Sequence, residues 1–113
     1  MSRRKLLARP GTALTTSVFY ILLSLSVQDR HGYDILKDVA LSSAGRIRMG
    51  PGVLYTNLKR MLEAGVIVEV DARSDDEDQR RRYYRLTRDG RAALATELER
   101  MEHALKVARS GRR

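Results

Sequence analysis

The chain has 113 residues, of which 42% are hydrophobic and 32% charged, and its formal net charge is +8 at pH 7. This length is most simply one domain, and the composition excludes wholesale disorder. The absence of cysteine excludes disulfides and thiol-based metal or redox sites. The basic excess indicates a polyanionic partner, either a nucleic acid or an acidic membrane surface.

The chain begins with a basic segment that contains no acidic residue and ends in Pro10-Gly11; its cations are Arg3, Arg4, Lys5 and Arg9. The pattern predicts a flexible basic arm over residues 1–11. An arm of this kind can follow phosphates or enter a minor groove, and a solubilising tail is the alternative.

An apolar run at 18–25 has some likeness to the core of a signal peptide, but it is too short to span a bilayer and no Ala-x-Ala cleavage site follows it. We therefore expect a cytoplasmic protein. We also expect no membrane contact, because the basic residues are spread over the arm, the third helix and the wing instead of one amphipathic face. Thr15 or Thr16 can cap a helix that runs to about Val27, and its apolar residues occupy nearly every direction around the axis. This predicts a central, mostly buried first helix.

A polar turn at 28–32 precedes a second predicted helix, from Tyr33 to about Ser42. Its inward side would consist of Ile35, Leu36, Val39 and Ala40. A short, extended link at 46–49 then leads to the next helix.

A third helix is predicted between Gly50 and Gly65, with Pro51 in its first turn. Four apolar residues share one side: Leu54, Leu58, Met61 and Leu62. The other side is small, polar or cationic: Gly52, Val53, Thr56, Lys59, Arg60 and Glu63, with Tyr55 and Asn57 at the borders. A helix in a major groove needs small residues near the base edges and cations where it crosses phosphates. On this stretch alone, an amphipathic helix with a solvated polar face is the alternative.

After Gly65 the hydrophobic period changes to two. Three valines alternate with polar or apolar neighbours and predict a strand: Val66, Val68 and Val70. Residues 80–86 alternate again, with Tyr84 and Leu86 on one face, and the polar segment 73–79 predicts the loop of a β-hairpin. Because the loop is acidic, contacts with phosphate must come from the returning strand, at Arg80, Arg81 and Arg82.

Thr87 can cap a last helix that continues to about Arg109. Its apolar residues recur with the spacing of a heptad seam: Leu94, Leu98, Met101, Leu105 and Ala108. We expect this seam to pair with a second subunit. The alternative is that the helix folds back on the first helix, and both can be partly true.

No arrangement of residues indicates catalysis, a cofactor or a metal. His31 and His103 lie in different segments without metal-type partners, and are better read as a residue at a helix start and a surface residue. The acidic cluster at 75–78 lacks the ligand spacing of a calcium loop, and no phosphate-binding glycine loop or nucleophile elbow occurs.

These elements predict a mainly α fold with a two-stranded wing. We expect a winged helix-turn-helix domain over residues 12–86, followed by a long C-terminal dimerisation helix and basic tail over residues 87–113.

The order and spacing of three segments resemble the PadR family of bacterial transcriptional regulators, the phenolic acid decarboxylase repressor type. The segments are His31 to Ile35, Gly50 to Arg60, and Arg81 to Thr87 with Gly90-Arg91. The resemblance implies a homodimer held by the C-terminal helix on a roughly two-fold symmetric operator, usually as a repressor. The single helix after the wing resembles the compact subgroup. Some members of that subgroup bind flat aromatic drugs between tryptophans, which this chain lacks.

The sequence therefore predicts a repressor that binds double-stranded DNA as a homodimer on a pseudo-palindromic operator. The expected base or sugar contacts are Tyr55, Thr56 and Asn57, beside Gly52. The expected phosphate contacts are Lys59, Arg60, Arg80, Arg81 and Arg82, with backbone donors at the helix start around His31 and Tyr33. Two alternatives stay open: a winged-helix module that binds protein, and a regulator whose DNA affinity is set by a small-molecule effector between the dimer helices.

Overall fold

The computed structural model describes residues 14–71 and 82–111. The predicted basic arm, the acidic cluster at 75–78, Arg80 and Arg81 lie outside the described residues. The described elements, in chain order, are α1 (Thr16–Val27), β1 (Arg30–His31), α2 (Gly32–Ser42), α3 (Pro51–Ala64), β2 (Ile67–Val70), β3 (Tyr83–Leu86) and α4 (Arg88–Arg109).

Side-chain and glycine caps fix the helix ends that the sequence predicted. The Thr15 hydroxyl accepts a hydrogen bond from the Val18 N–H at 3.2 Å, at the start of α1. At the other end of the chain, α4 begins after Thr87, as expected. Gly65 ends α3 with a φ of 78°, which favours glycine, and its N–H bonds back to the Leu62 carbonyl.

The predicted two-stranded wing is present as β2 and β3, and β1 adds a third antiparallel strand, in the order β1-β3-β2. In the added strand, Arg30 pairs with Tyr84 and His31 with Tyr83. A strand of two residues has no measurable period, and its partner lies more than fifty residues away. The sequence therefore showed this segment only as a polar turn.

The buried face of β2 does not follow the alternation of Val66, Val68 and Val70. Val66 and Ile67 are both 1% exposed, whereas Val68 is 42% exposed. The cause is the end of α3, where the Val66 N–H bonds to the Met61 carbonyl at 3.1 Å. Val66 thus belongs to the helix cap, and the strand alternation starts one residue later.

The hydrophobic core surrounds α1, whose Ile21 and Leu22 are fully buried, as expected of a central helix. From α2, Ile35 and Val39 reach the core, and α4 contributes Leu94. α4 contacts α1 and β3, so part of the last helix does fold back on its own chain. None of the helices in the described part of the chain is long and apolar enough to cross a membrane.

Candidate nucleic-acid interface

The two sides of α3 differ as the sequence predicted. Leu54, Leu58 and Met61 are buried in the core. The opposite side is exposed and consists of Gly52, Val53, Thr56, Lys59, Arg60 and Glu63. Since the apolar side anchors the helix, the polar side points away from the protein.

A shallow depression lies on this exposed side. It is lined by Gly52, Val53, Thr56, Asn57 and Arg60, which come from the first three turns of α3. A Cβ atom added at Gly52 would meet nothing within 4 Å, so the space above this glycine is open. The depression therefore brings together four of the predicted DNA-binding residues: Gly52, Thr56, Asn57 and Arg60.

Tyr55 is exposed, but its hydroxyl group turns back towards the protein. A Cβ atom added at Gly32 would lie 3.0 Å from the Tyr55 Cζ atom and would overlap the hydroxyl oxygen. The absence of a side chain at Gly32 therefore lets Tyr55 lie across the start of α2. Tyr55 nevertheless remains 52% exposed.

His31 is buried, with a relative exposure of 7%, and its contacts are structural. Its Nδ1 atom accepts a hydrogen bond from the Asp34 N–H at 3.4 Å, and its Nε2 atom lies 3.0 Å from a carboxylate oxygen of Asp34. The ring also packs edge-on against Tyr83. These contacts make His31 the cap of α2, and they engage both ring nitrogens away from any external phosphate.

Tyr33, in contrast, is exposed at the start of α2. The Lys37 Nζ atom lies 5.0 Å from the centre of its ring, within the range of a cation–π contact. The sequence did not single out Lys37, although the spacing of four residues on a helix places the two side chains together.

The described arginines of β3 have different roles. Arg82 is exposed, and its Nη1 atom lies 3.2 Å from a Glu69 carboxylate oxygen. Arg85 forms a two-point ion pair with Asp29, at 2.7 Å from Nη2 and 3.1 Å from Nε. This hydrogen bonding to Asp29, followed by the attraction between the charges, raises the pKa of Arg85. Arg85 thus fastens the wing to the turn after α1, and Arg82 stays at the surface.

Two further cations, missed by the sequence reasoning, stand exposed in the link before α3: Arg46 and Arg48. Between them, the Ile47 N–H donates to the Ser43 hydroxyl at 2.9 Å, which fixes the link. The alternation of Arg46, Ile47 and Arg48 was the available signal.

The comparisons with known proteins identify the family. A family model described as the Transcriptional regulator PadR-like family matches residues 21–96. The chain belongs to this family. The matched span of this PadR-like chain contains α2, α3 and the wing, which include the exposed faces described above. A search of curated proteins finds no match.

Solved structures confirm the predicted winged fold. The PadR-like chain is 26% identical to a transcriptional regulator from Clostridium thermocellum, with a TM-score of 0.67 over 86% of this chain and 90% of that chain. It is also 26% identical to a PadR family transcription regulator from Clostridium difficile, with a TM-score of 0.70 over 83% of this chain and 95% of that chain. RosR of h. salinarum, at 23% identity and a TM-score of 0.62 over 87% of this chain and 93% of that chain, shares the fold.

Proposed function

We propose that the protein is a sequence-specific DNA-binding transcriptional repressor that acts as a homodimer on a pseudo-palindromic operator. The observation that carries the proposal is the outward side of α3, where polar and cationic groups stand exposed on a helix whose apolar side is buried. Membership of a family of transcriptional regulators supports it. The net charge of +8 favours a polyanionic partner.

In the proposed complex, the first turns of α3 enter the major groove. Thr56 and Asn57 lie nearest the base edges there, with the ring of Tyr55 beside them, because Gly52 allows the helix backbone to approach closely. Lys59 and Arg60, further along the helix, bind phosphates.

The wing and the start of α2 bind the flanking backbone in this proposal. Arg82 supplies an exposed cation. Arg80 and Arg81, which the sequence predicts to contact phosphate, would bind the same stretch of backbone. Tyr33 and the backbone near it face phosphate at the α2 start. His31 acts by holding this helix start in position, because its ring is buried and hydrogen-bonded.

The dimer is proposed from the apolar seam of α4. Beyond the buried Leu94, the relative exposures of Leu98, Met101 and Leu105 are 40%, 45% and 48%, and Ala108 continues the same line. Covering this seam with a second copy removes apolar surface from water. Two joined copies place their α3 helices in successive major grooves, about 34 Å apart. In the alternative in which a small molecule sets the DNA affinity, the effector would bind between the two α4 helices.

Filter binding of genomic DNA fragments at low and moderate salt tests DNA recognition. We expect saturable, sequence-selective retention, and sequencing of the retained fragments gives the operator. A complete lack of selective retention would contradict the proposal and favour a protein-binding module.

Two further measurements test the finer parts of the proposal. Light scattering at micromolar concentration should give twice the mass of the chain, and a monomer mass would contradict the two-groove complex. Transcription in vitro from a promoter that overlaps the operator should fall as protein is added. A rise in transcription would contradict a repressor.

A further inference from the structure

Val53 is an apolar residue in the middle of a polar and cationic surface. It lies in the first turn of α3, on the outward side, and its relative exposure is 53%. A β-branched residue is a weaker helix former than alanine, and this one stands apart from the buried core. An alanine at this position would therefore support the fold about as well as Val53 does. The exposed methyl groups of Val53 suit a contact with another molecule.

The surroundings of Val53 limit what that contact can be. Val53 and Thr56 are one helical turn apart, and both line the depression next to Gly52. Asn57 and Arg60, which lie further along the helix, also line it. The lining is thus apolar at Val53 and polar or cationic at Asn57 and Arg60.

We infer that this depression receives the C5-methyl group of a thymine, with Val53 as the residue that determines specificity at that base pair. The inference rests on the proposed function, since it requires α3 to lie in a major groove. Among the base edges in that groove, only thymine presents an apolar group; the others present hydrogen-bond donors and acceptors.

Charge complementarity supports this occupant. Lys59 and Arg60 stand exposed on the same side of α3 and favour phosphates next to the depression, which brings base edges to Val53. Val53 has no hydrogen-bonding group in its side chain, so it can distinguish bases only through apolar contact and shape. The methyl group of thymine is apolar and projects from the base edge, so it can make a contact of this kind.

Deoxyuridine tests the inference directly, because it pairs like thymidine but lacks the methyl group. The test measures dissociation constants by fluorescence anisotropy for the full chain on its selected operator, with each thymine replaced in turn. Burial of one methyl-sized group contributes about 0.8 kcal/mol, which is about fourfold in affinity. We expect one thymine in each half-site to show this fourfold penalty, and Val53→Ala to abolish it.

Two glycine substitutions provide a second test with a matched control. Gly52→Ala adds a methyl group to the floor of the depression and meets no atom within 4 Å, so we expect a folded protein that binds more weakly and has lost the deoxyuridine penalty. A Cβ atom at Gly50 also meets nothing within 4 Å, but Gly50 does not line the depression. Gly50→Ala should keep the fourfold penalty. Circular dichroism confirms that each variant is folded.

Selective binding without any deoxyuridine penalty, or with a penalty that persists in Val53→Ala, would overturn the inference and leave the proposed function standing. An operator with no thymine in its half-sites would have the same meaning. Loss of all selective binding in the unmodified chain would overturn the proposed function as well.

Discussion

α3 and α4 are both amphipathic helices, but the rest of the chain buries the apolar side of α3 and only part of the apolar side of α4. The apolar side of α3 is buried along its length, so its uncovered surface is polar and cationic. α4 is buried near Leu94, and its apolar seam continues uncovered from Leu98 to Ala108. The surface that a fold leaves open indicates the chemistry of its partner. A polyanion suits α3, and a second apolar surface suits α4.

The largest expected effect comes from the open side of α4. Met101→Lys places a charge in the seam, which should prevent dimerisation and reduce operator affinity by about 100-fold or more, because the two half-sites are then bound independently. The added cation would by itself strengthen DNA binding, so its charge cannot explain a loss. Light scattering and anisotropy measure the two effects.

His103→Lys is the matched control, since His103 is exposed on α4 on the opposite side from the seam. It should remain dimeric and bind as tightly as the unmodified chain. Equal behaviour of the two variants would mean that the seam is not the interface.

The junction between the two helices should be the next most sensitive position. A Cβ atom at Gly90 would overlap the Val66 carbonyl oxygen and would lie 3.0 Å from the Val66 carbonyl carbon. We expect Gly90→Ala to lower the free energy of unfolding by about 2 kcal/mol, measured by urea denaturation. Gly52→Ala, which meets no atom and replaces a glycine within α3, should not lower it. An unchanged Gly90→Ala protein would mean that α4 and β2 can separate freely.

A smaller effect is expected on the open side of α3. Lys59→Ala removes one phosphate contact, so the slope of log affinity against log salt should become shallower by about 0.9. When the salt is raised from 50 to 200 mM, the fold loss of affinity should therefore be about 3.5 times smaller for the variant than for the unmodified chain. Lys106→Ala removes the same charge from α4 and should leave the slope unchanged. Identical slopes for both variants would place Lys59 outside the contact.

The smallest effect concerns the buried side chain of Tyr84 in β3. Burial, followed by the negative charge of Glu69 and the neighbouring Tyr55, raises the pKa of Tyr84 above its ordinary value of 10.0. The unfolded chain therefore loses the hydroxyl proton of Tyr84 at a lower pH than the folded chain. The stability that the protonated Tyr84 contributes to the fold is complete below about pH 10, and it is lost as the pH rises through the pKa of the folded state.

Urea denaturation at pH 8 and pH 10.5 measures this loss, which for one group cannot exceed about 1.4 kcal/mol per pH unit. Tyr84→Phe should show a smaller loss of stability than the unmodified chain. Tyr33→Phe, which removes an exposed hydroxyl, should keep the full loss. A Tyr84→Phe protein with the full loss would contradict this account.

The helices could be predicted from sequence because their signals are local. Thr15 and Thr87 accept hydrogen bonds from N–H groups three residues away, and Gly65 closes α3 within its own last turn. The two sides of α3 followed from helical spacing alone, which is why Leu54 and Thr56 were assigned to the correct sides.

The parts that could not be predicted depend on distant contacts. The pairing of β1 with β3 and the ion pair of Arg85 with Asp29 join segments more than fifty residues apart. The same separation hid the burial of His31, whose ring packs against Tyr83. Arg46 and Arg48 were missed although they alternate with Ile47, because three residues are too few to assign the faces of a link.

Thr87 joins α3, β2 and α4 at one point. Its hydroxyl donates to the Gly65 carbonyl at 2.6 Å and accepts from the Gly90 N–H at 3.1 Å, while its own N–H bonds to the Val66 carbonyl at 3.1 Å. These hydrogen bonds fix the angle between α3 and α4 within each subunit. In the proposed dimer, the crossing angle of the two α4 helices therefore mainly sets the number of base pairs between the half-sites. An operator with a longer or shorter spacer would bind more weakly.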